Sequence, residues 1–284
     1  MILVTGASGN TGRGVVRALG RVNADVRALS REPIQDVPTT VDVVAADYDD
    51  VVAIRTAMKG VKRVFLVSPF TPKQVEQEKR IIDLAAEADV EVVVKITSTT
   101  PEFRSRSMSA IHVNHAEIEN HLRLSGLDWV MIRPNFFMQN LFGLVAQYLV
   151  DGHVSHAFGE SRLGMIDAND IAEVAAATIL DEKWWNRSLV VSGDPVTFRD
   201  VAVELSAIAQ KQFSYVPITM EQVRANLVRA KTSKENIERF ETECAYVANG
   251  GLSVFSDHVR VVLGRAPKSL KAFFSENRDR LLPS

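Results

Sequence analysis

The stretch Ile2-Leu3-Val4-Thr5-Gly6-Ala7-Ser8-Gly9-Asn10-Thr11-Gly12-Arg13-Gly14 decides how this chain is read. A short apolar run leads into Gly6, Gly9 and Gly12, spaced three apart, and a helical pattern follows. That order suits a buried strand, a tight turn and a helix start. Gly6 supplies the turn, Gly9 lets a pyrophosphate approach the backbone, and Gly12 lets the helix pack closely on the strand. The first N–H groups of the helix and its positive dipole end then face the anion. Ser8, Asn10 and Thr11 add small donors around it. A glycine-rich turn without a ligand is the alternative, but a strand before and a helix after favour a dinucleotide site.

Outward from this turn, short Val/Ile-rich runs at 26–29, 41–46, 64–67, 90–96 and 129–132 alternate with helical spacing at 12–19, 51–58, 75–88 and 109–124. Continuous apolar runs of that length fit strands buried on both faces. The alternation predicts an α/β fold, a Rossmann-like doubly wound parallel sheet with right-handed crossovers. After Pro134 the rhythm breaks. Helices are expected at 136–150, at 168–180 with Asp167 or Asn169 as cap, and at 198–209 with Thr197 as cap. A strand is expected at 188–192 and an extended piece at 216–218; the rest is mostly helical, with a break at Gly250-Gly251. The expected division is a dinucleotide-binding domain over 1–134, rejoined by segments near 165–195. Residues 135–284 then form mainly a small α/β substrate lobe that does not fold alone.

The chain has 284 residues, of which 46% are hydrophobic and 24% charged, which excludes a disordered or collagenous chain. Thirty-three basic and 35 acidic residues leave a net charge of −2, which argues against nucleic-acid or anionic-membrane partners. The single cysteine, Cys244, forms no internal disulfide and no cysteine-rich metal site, so no metal is expected. Met1 opens directly into Ile2-Leu3-Val4, and no apolar run approaches a membrane span, so the expected location is the cytoplasm.

An NAD site usually carries an acidic residue at the end of the second strand. Here that strand ends in Ser30-Arg31. Arg31 offers a planar fork suited to a 2′-phosphate, which favours NADP and leaves NAD open. At the third strand end, Asp47 can accept from an adenine amino group and Tyr48 can flank the ring; Val67, Ser68, Pro69 and Phe70 follow the fourth. Each of these is equally a turn or a cap.

Several of these segments together resemble the NmrA-like group, an atypical branch of the short-chain dehydrogenase/reductases. They are Val4-Thr5-Gly6-Ala7-Ser8-Gly9-Asn10-Thr11-Gly12, Ser30-Arg31, and Ser125-Gly126-Leu127-Asp128-Trp129 followed by Ile132-Arg133-Pro134-Asn135-Phe136. Met165-Ile166-Asp167-Ala168-Asn169-Asp170-Ile171-Ala172 and Ser192-Gly193 with Thr197-Phe198 extend the match, which weakens beyond about residue 218. Within the group the chain is most similar to NAD(P)H-dependent quinone and triphenylmethane-dye reductases. The superfamily's Tyr-x-x-x-Lys helix matches a segment in which Ile111 replaces the tyrosine and His115 the lysine.

Ile111 transfers no proton, so the resemblance implies hydride delivery to a quinone or polycyclic aromatic, an acceptor that needs little acid assistance. The catalytic candidates are then His115 and Ser98, the latter among the hydroxyls after the fifth strand. Pro134 joins the cofactor contacts. Phe70, Asn135, Phe136, Phe137 and Asn140, with Phe142 beside them, form a pocket for a flat aromatic substrate. Two other functions fit the same residues: a dinucleotide-sensing regulator without turnover, and unusual tailoring of an aromatic polyketide. A monomer or homodimer is expected.

Overall fold

The computed structural model describes residues 1–32, 34, 41–99 and 110–282. In chain order the first elements are β1 (Ile2–Val4), α1 (Asn10–Arg21), β2 (Val26–Ser30), β3 (Asp42–Ala45), α2 (Val51–Ala57), β4 (Arg63–Leu66), α3 (Gln74–Glu87), β5 (Val92–Ile96), α4 (Ala110–Leu124) and β6 (Asp128–Pro134). There follow α5 (Leu141–Asp151), β7 (Val154–His156), α6 (Ala168–Leu180), β8 (Arg187–Val191), α7 (Phe198–Ala209) and β9 (Tyr215–Pro217). The chain closes with α8 (Met220–Arg229), α9 (Lys234–Ala248), α10 (His258–Leu263), α11 (Leu270–Glu276) and α12 (Arg278–Leu281).

Among the described residues seven parallel strands form one sheet in the order β3-β2-β1-β4-β5-β6-β8. Both neighbours of β1 pair with it in register, Ile2 standing against Val26 on one side and Arg63 on the other. The order reverses between β1 and β4, which opens a crevice at the carboxyl ends of those strands. The apolar runs alternate between the two faces. Val4, Phe65, Val94 and Ile132 pack on α1 and α6, while Leu3, Leu66, Val93 and Met131 pack on α2, α3 and α4. Helices α1 and α6 cross so closely that a Cβ on Gly14 would lie 2.7 Å from that of Ala172.

A second core gathers α5, α7, α9 and α11 around Tyr148, Phe198, Tyr246 and Phe273, with β7 and β9 paired parallel at its margin. Asp167 caps α6 by accepting from Asn169 N–H at 2.9 Å, and Thr197 and Asp200 form a reciprocal capping box on α7. The expected helix 136–150 is corrected. Phe137 bridges Ile166, with Ile166 N–H bonded to Phe136 O and Met138 N–H to Ile166 O, both at 2.9 Å. Those bonds hold 136–138 extended, so a 3-10 turn, Met138–Asn140, precedes α5. Strand β7 was not expected at all, and the extended piece is Tyr215–Pro217. The expected helix 109–124 begins, at Ser109, outside the described residues, within which it runs from Ala110. No helix among the described residues is long and apolar enough to cross a membrane.

His156 sits inside the second core with its ring centroid 3.6 Å from that of Phe158 and 4.7 Å from that of Phe198. Its Nδ1 accepts from Ala157 N–H at 3.0 Å, and burial lowers its pKa from 6.5 to about 4. Between those values the unfolded chain binds a proton that the folded chain refuses, so stability falls as the pH drops below the unfolded value. Moving from about pH 7.5 to about pH 5 should cost about 2 kcal/mol from this residue alone. Urea denaturation at both pH values checks this: His156→Gln should lose about 2 kcal/mol less than wild type over the interval. Equal losses would remove His156 from the account.

Candidate functional site

The glycine turn is built by exclusion of side chains. Gly6 has a φ of +57°, and a Cβ there would lie 2.8 Å from Val67 Cγ1 and 2.9 Å from its carbonyl oxygen. A Cβ on Gly12 would lie 2.2 Å from Gly6 O, so α1 starts against the turn with nothing between them. Gly9 differs: its Cβ would meet only Gly6 O, at 3.3 Å, and would otherwise project into open space. Gly9 is also the N-cap of α1 and offers no side-chain acceptor, so the first N–H groups of the helix are left for an anion.

The turn faces a cleft of about 310 Å³ lined by Gly6, Ser8, Gly9, Asn10, Thr11 and Gly12 from the β1–α1 junction. Leu29, Ser30, Arg31, Ala46 and Tyr48 line it from β2 and β3, and Val67, Ser68, Pro69 and Phe137 close the other side. Most of the cofactor candidates from the sequence thus meet in one crevice. The Ser30 hydroxyl donates to Glu32 O at 2.7 Å, which turns the chain and leaves Arg31 at the lip, 61% exposed.

Asp47 does not line the cleft. One of its oxygens accepts from Asp49 N–H at 2.9 Å and the other lies 3.8 Å from Arg31 Nη1. Tyr48 is floor rather than ring clamp: it is buried and its hydroxyl donates to Val67 O at 2.8 Å. Burial above all pushes its pKa up to about 12. Pro134 is buried at the end of β6, outside the cleft lining.

The catalytic candidates lie one strand further along. His115 projects from α4 with its Nδ1 buried and without a hydrogen-bond partner among the described residues. Burial first, then the positive charge of Lys95 and then His112, hold its pKa well below the ordinary imidazole value, so it is neutral at pH 7. Ile111 is partly buried one turn earlier, and Ser98 stands just beyond β5, also partly buried. Thr97 donates to the buried Glu119 at 2.7 Å, which Arg133 also grips at 2.7 Å.

The aromatic and amide candidates scatter. Phe137 enters the cleft, whereas Phe136 packs edge-on against Phe158 and Phe198 in the second core. Asn135 is 3% exposed; its amide donates to Leu252 O and Val254 O, both at 2.9 Å, and its oxygen accepts from Phe136 N–H at 2.7 Å. With its polar atoms engaged, it orders the backbone. Phe70 lies under the Arg239 guanidinium, Asn140 is exposed at the start of α5, and Phe142 stacks between Phe273 and Arg280.

Sequence reasoning missed Tyr246, whose ring lies 4.4 Å from that of His112 and whose hydroxyl donates to Thr99 O at 3.1 Å. The readable signal was the glycine break after it, since a Cβ on Gly251 would lie 2.4 Å from the Tyr246 ring. Also missed was Lys95, a lysine in an otherwise apolar strand. Among the described residues no group of acidic, histidine or cysteine side chains is placed to hold a metal.

The sequence of residues 1–274 matches the model of the NmrA-like family. The chain belongs to that family. It is 28% identical over 281 residues to an NAD(P)H azoreductase of Xenophilus azovorans, with 96% of each chain covered. It is 29% identical over 286 residues to a (4-alkanoyl-5-oxo-2,5-dihydrofuran-3-yl)methyl phosphate reductase of Streptomyces griseus, with 100% of each covered. In fold it resembles an NADPH-dependent quinone oxidoreductase of Escherichia coli complexed with NADPH, at a TM-score of 0.86 and 22% identity, covering 97% of this chain and 99% of the other. The doubly wound sheet is thus the family's fold.

The two later glycines of this NmrA-like turn should respond differently to substitution. Gly9→Val meets backbone only at Gly6 O, which must give by a few tenths of an ångström, so the protein should fold and lose dinucleotide binding. Gly12→Ala drives a methyl into Gly6 O and should cost about 1–3 kcal/mol of stability. Cofactor fluorescence titration and thermal denaturation of both variants check this. A folded Gly9→Val protein with wild-type affinity would dismiss the phosphate turn.

Proposed function

We propose that this NmrA-like protein is an NAD(P)H-dependent oxidoreductase that delivers hydride to a quinone, azo compound or similarly conjugated aromatic acceptor, with NADPH preferred. The observation that carries the proposal is the cleft itself: a helix start without a side-chain cap, a turn whose Gly6 and Gly12 leave no room for a Cβ, and an arginine at the lip. These residues fit a dinucleotide. Gly6, Gly9 and the α1 N–H groups would hold the pyrophosphate, Arg31 the 2′-phosphate, and Ser68 and Phe137 the nicotinamide half. When bound, the reduced nicotinamide supplies a hydride, two electrons to the acceptor.

The chain's own contribution is orientation and exclusion of water. Among the described residues lining the cleft there is no carboxylate, histidine, lysine or cysteine. Ile111 and the neutral His115 stand where the superfamily keeps a proton donor and its lysine, so the acceptor takes its proton from solvent. The relatives named as azoreductase and quinone oxidoreductase support an acceptor of this class. The same lack of an acid also suits a sensor that binds cofactor without turnover. Loss of reduced-nicotinamide absorbance with menadione or methyl red as acceptor decides: oxidation supports the reductase, and binding without oxidation supports the sensor.

Coenzyme preference should reside in Arg31 and the carboxylate beside it. Arg31→Ala should raise the Kd for NADPH by about ten- to hundredfold, the loss of one charge-assisted phosphate contact, and leave NADH nearly unchanged. Asp47 competes with the phosphate for the same guanidinium, so Asp47→Asn should tighten NADPH by about two- to fivefold. Titrations with both coenzymes check this; equal losses for the two in Arg31→Ala would remove the 2′-phosphate assignment.

A further inference from the structure

Behind the cofactor cleft, on the α3/α4 side of the sheet, lies a complete ion pair without solvent access. Lys95 of β5 and Glu78 of α3 contact each other through Nζ and Oε2, and both side chains are 0% exposed. Lys95 Nζ also donates to Ile96 O at 2.8 Å. The other carboxylate oxygen of Glu78 accepts from the Ser68 hydroxyl at 2.6 Å and more loosely from Gln74 Nε2 at 3.4 Å. Ser68 lines the cleft, so the buried pair reaches the cofactor surface through one hydroxyl.

Stability alone is a poor reason for such a pair. Desolvating each ion costs several kcal/mol, and apolar residues of similar volume often serve a core as well or better. The pair does have a chemical consequence at Ser68. A serine hydroxyl carries one proton; donated to an ionised carboxylate, it leaves only lone pairs to face the cleft. Lys95 supplies the cation that stands against that carboxylate.

The topology says which part of a dinucleotide meets that acceptor. The two halves of a doubly wound sheet each take one mononucleotide, with the crossover between β1 and β4. Arg31, at the end of β2, marks the adenosine half. Ser68, just past β4, belongs to the half that takes nicotinamide. The donors there are the ribose hydroxyls and the carboxamide N–H groups, and Ser68 shares the cleft with the glycine turn that would take the pyrophosphate next to the ribose. We propose that Glu78, paired with Lys95, fixes Ser68 as the acceptor for a hydroxyl of the nicotinamide ribose, so that Lys95 and Glu78 act as positioning residues. The pair thus does from the strand and α3 what the ribose-holding lysine of a Tyr-x-x-x-Lys helix does elsewhere. This inference rests on the dinucleotide reading of the cleft.

The test uses full-length protein, NADPH and 2′,5′-ADP, the second of which lacks the nicotinamide half. Breaking the pair on one side risks the fold, so the variant is Lys95→Met with Glu78→Leu, which removes both charges together. Alongside it stand Ser68→Ala and the triple variant, each checked for folding by circular dichroism. Ser68→Ala should raise the Kd for NADPH about three- to tenfold, the worth of one hydrogen bond. The charge-free double variant should lose the same factor, and the triple variant no more, because all three substitutions remove one interaction. Affinity for 2′,5′-ADP should stay at the wild-type value throughout. Multiplicative losses in the triple variant, equal loss of 2′,5′-ADP, or wild-type NADPH affinity in the folded double variant would each overturn the inference. Wild-type protein that bound neither ligand would overturn the cofactor reading itself.

Discussion

The site depends on one backbone carbonyl, that of Val67. It accepts the Thr5 hydroxyl at 3.0 Å and the Tyr48 hydroxyl at 2.8 Å, while Val67 N–H donates back to Thr5 Oγ1 at 2.9 Å. These bonds tie the end of β1, the segment after β3 and the end of β4 into one junction where the strand order reverses. With both lone pairs engaged, the chain passing over the carbonyl has no room for a side chain, and Gly6 occupies that place. Each bond is worth about 1 kcal/mol net, but a buried hydroxyl left unpaired costs about 1–3 kcal/mol. Tyr48, its phenol pushed by burial up to about 12, remains a donor at neutral pH. The crevice keeps its shape because its floor has no alternative bonding.

That junction explains why the first half was legible and much of the second was not. Strands β1, β2 and β4 are set by local composition, and Gly6 and Gly12 announce their own steric reason. The caps act within three residues, so sequence narrowed that of α6 to Asp167 or Asn169 and put that of α7 at Thr197. Tyr48 was read by position alone; its partner is a carbonyl from another strand, and that contact makes it floor. Asn135 had the polarity of a ligand residue, yet it spends its amide on carbonyls 117 and 119 residues away. The start of α5 failed for the same cause, since only a bridge to Ile166 holds Phe136 and Phe137 out of the helix. Phe142 satisfies an aromatic pocket and an aromatic core equally well by composition.

The returning C-terminal segment ties the second core to the first. Asp170, at the start of α6, accepts from Arg265 at 2.7 Å and from Lys268 N–H at 2.6 Å. Lys268 also reaches Asp167 at 2.7 Å, the residue that caps α6 and holds Gln139. The carboxylates suit the positive end of that helix, and the cations neutralise them in turn. Helix α6 packs at the same time on α1, against Gly14. The C-terminal segment is therefore fastened to the helix that packs on α1, the helix that starts at the glycine turn. Gly251 passing over Tyr246, and Tyr246 bonded to Thr99, complete the same closure above β5.

Within that enclosure the distribution of charge constrains the chemistry. Burial lowers the pKa of both His112 and His115, and the Lys95 cation is matched by Glu78. A ketone reduced there would leave an alkoxide, far more basic than a phenolate. A quinone would leave a phenolate, with a conjugate acid near that of tyrosine, about 10. The conjugated acceptor therefore needs several kcal/mol less proton assistance. That is about the scale at which a catalytic acid becomes indispensable for the first substrate and dispensable for the second. An isoleucine at position 111 is compatible with an acceptor of the second kind.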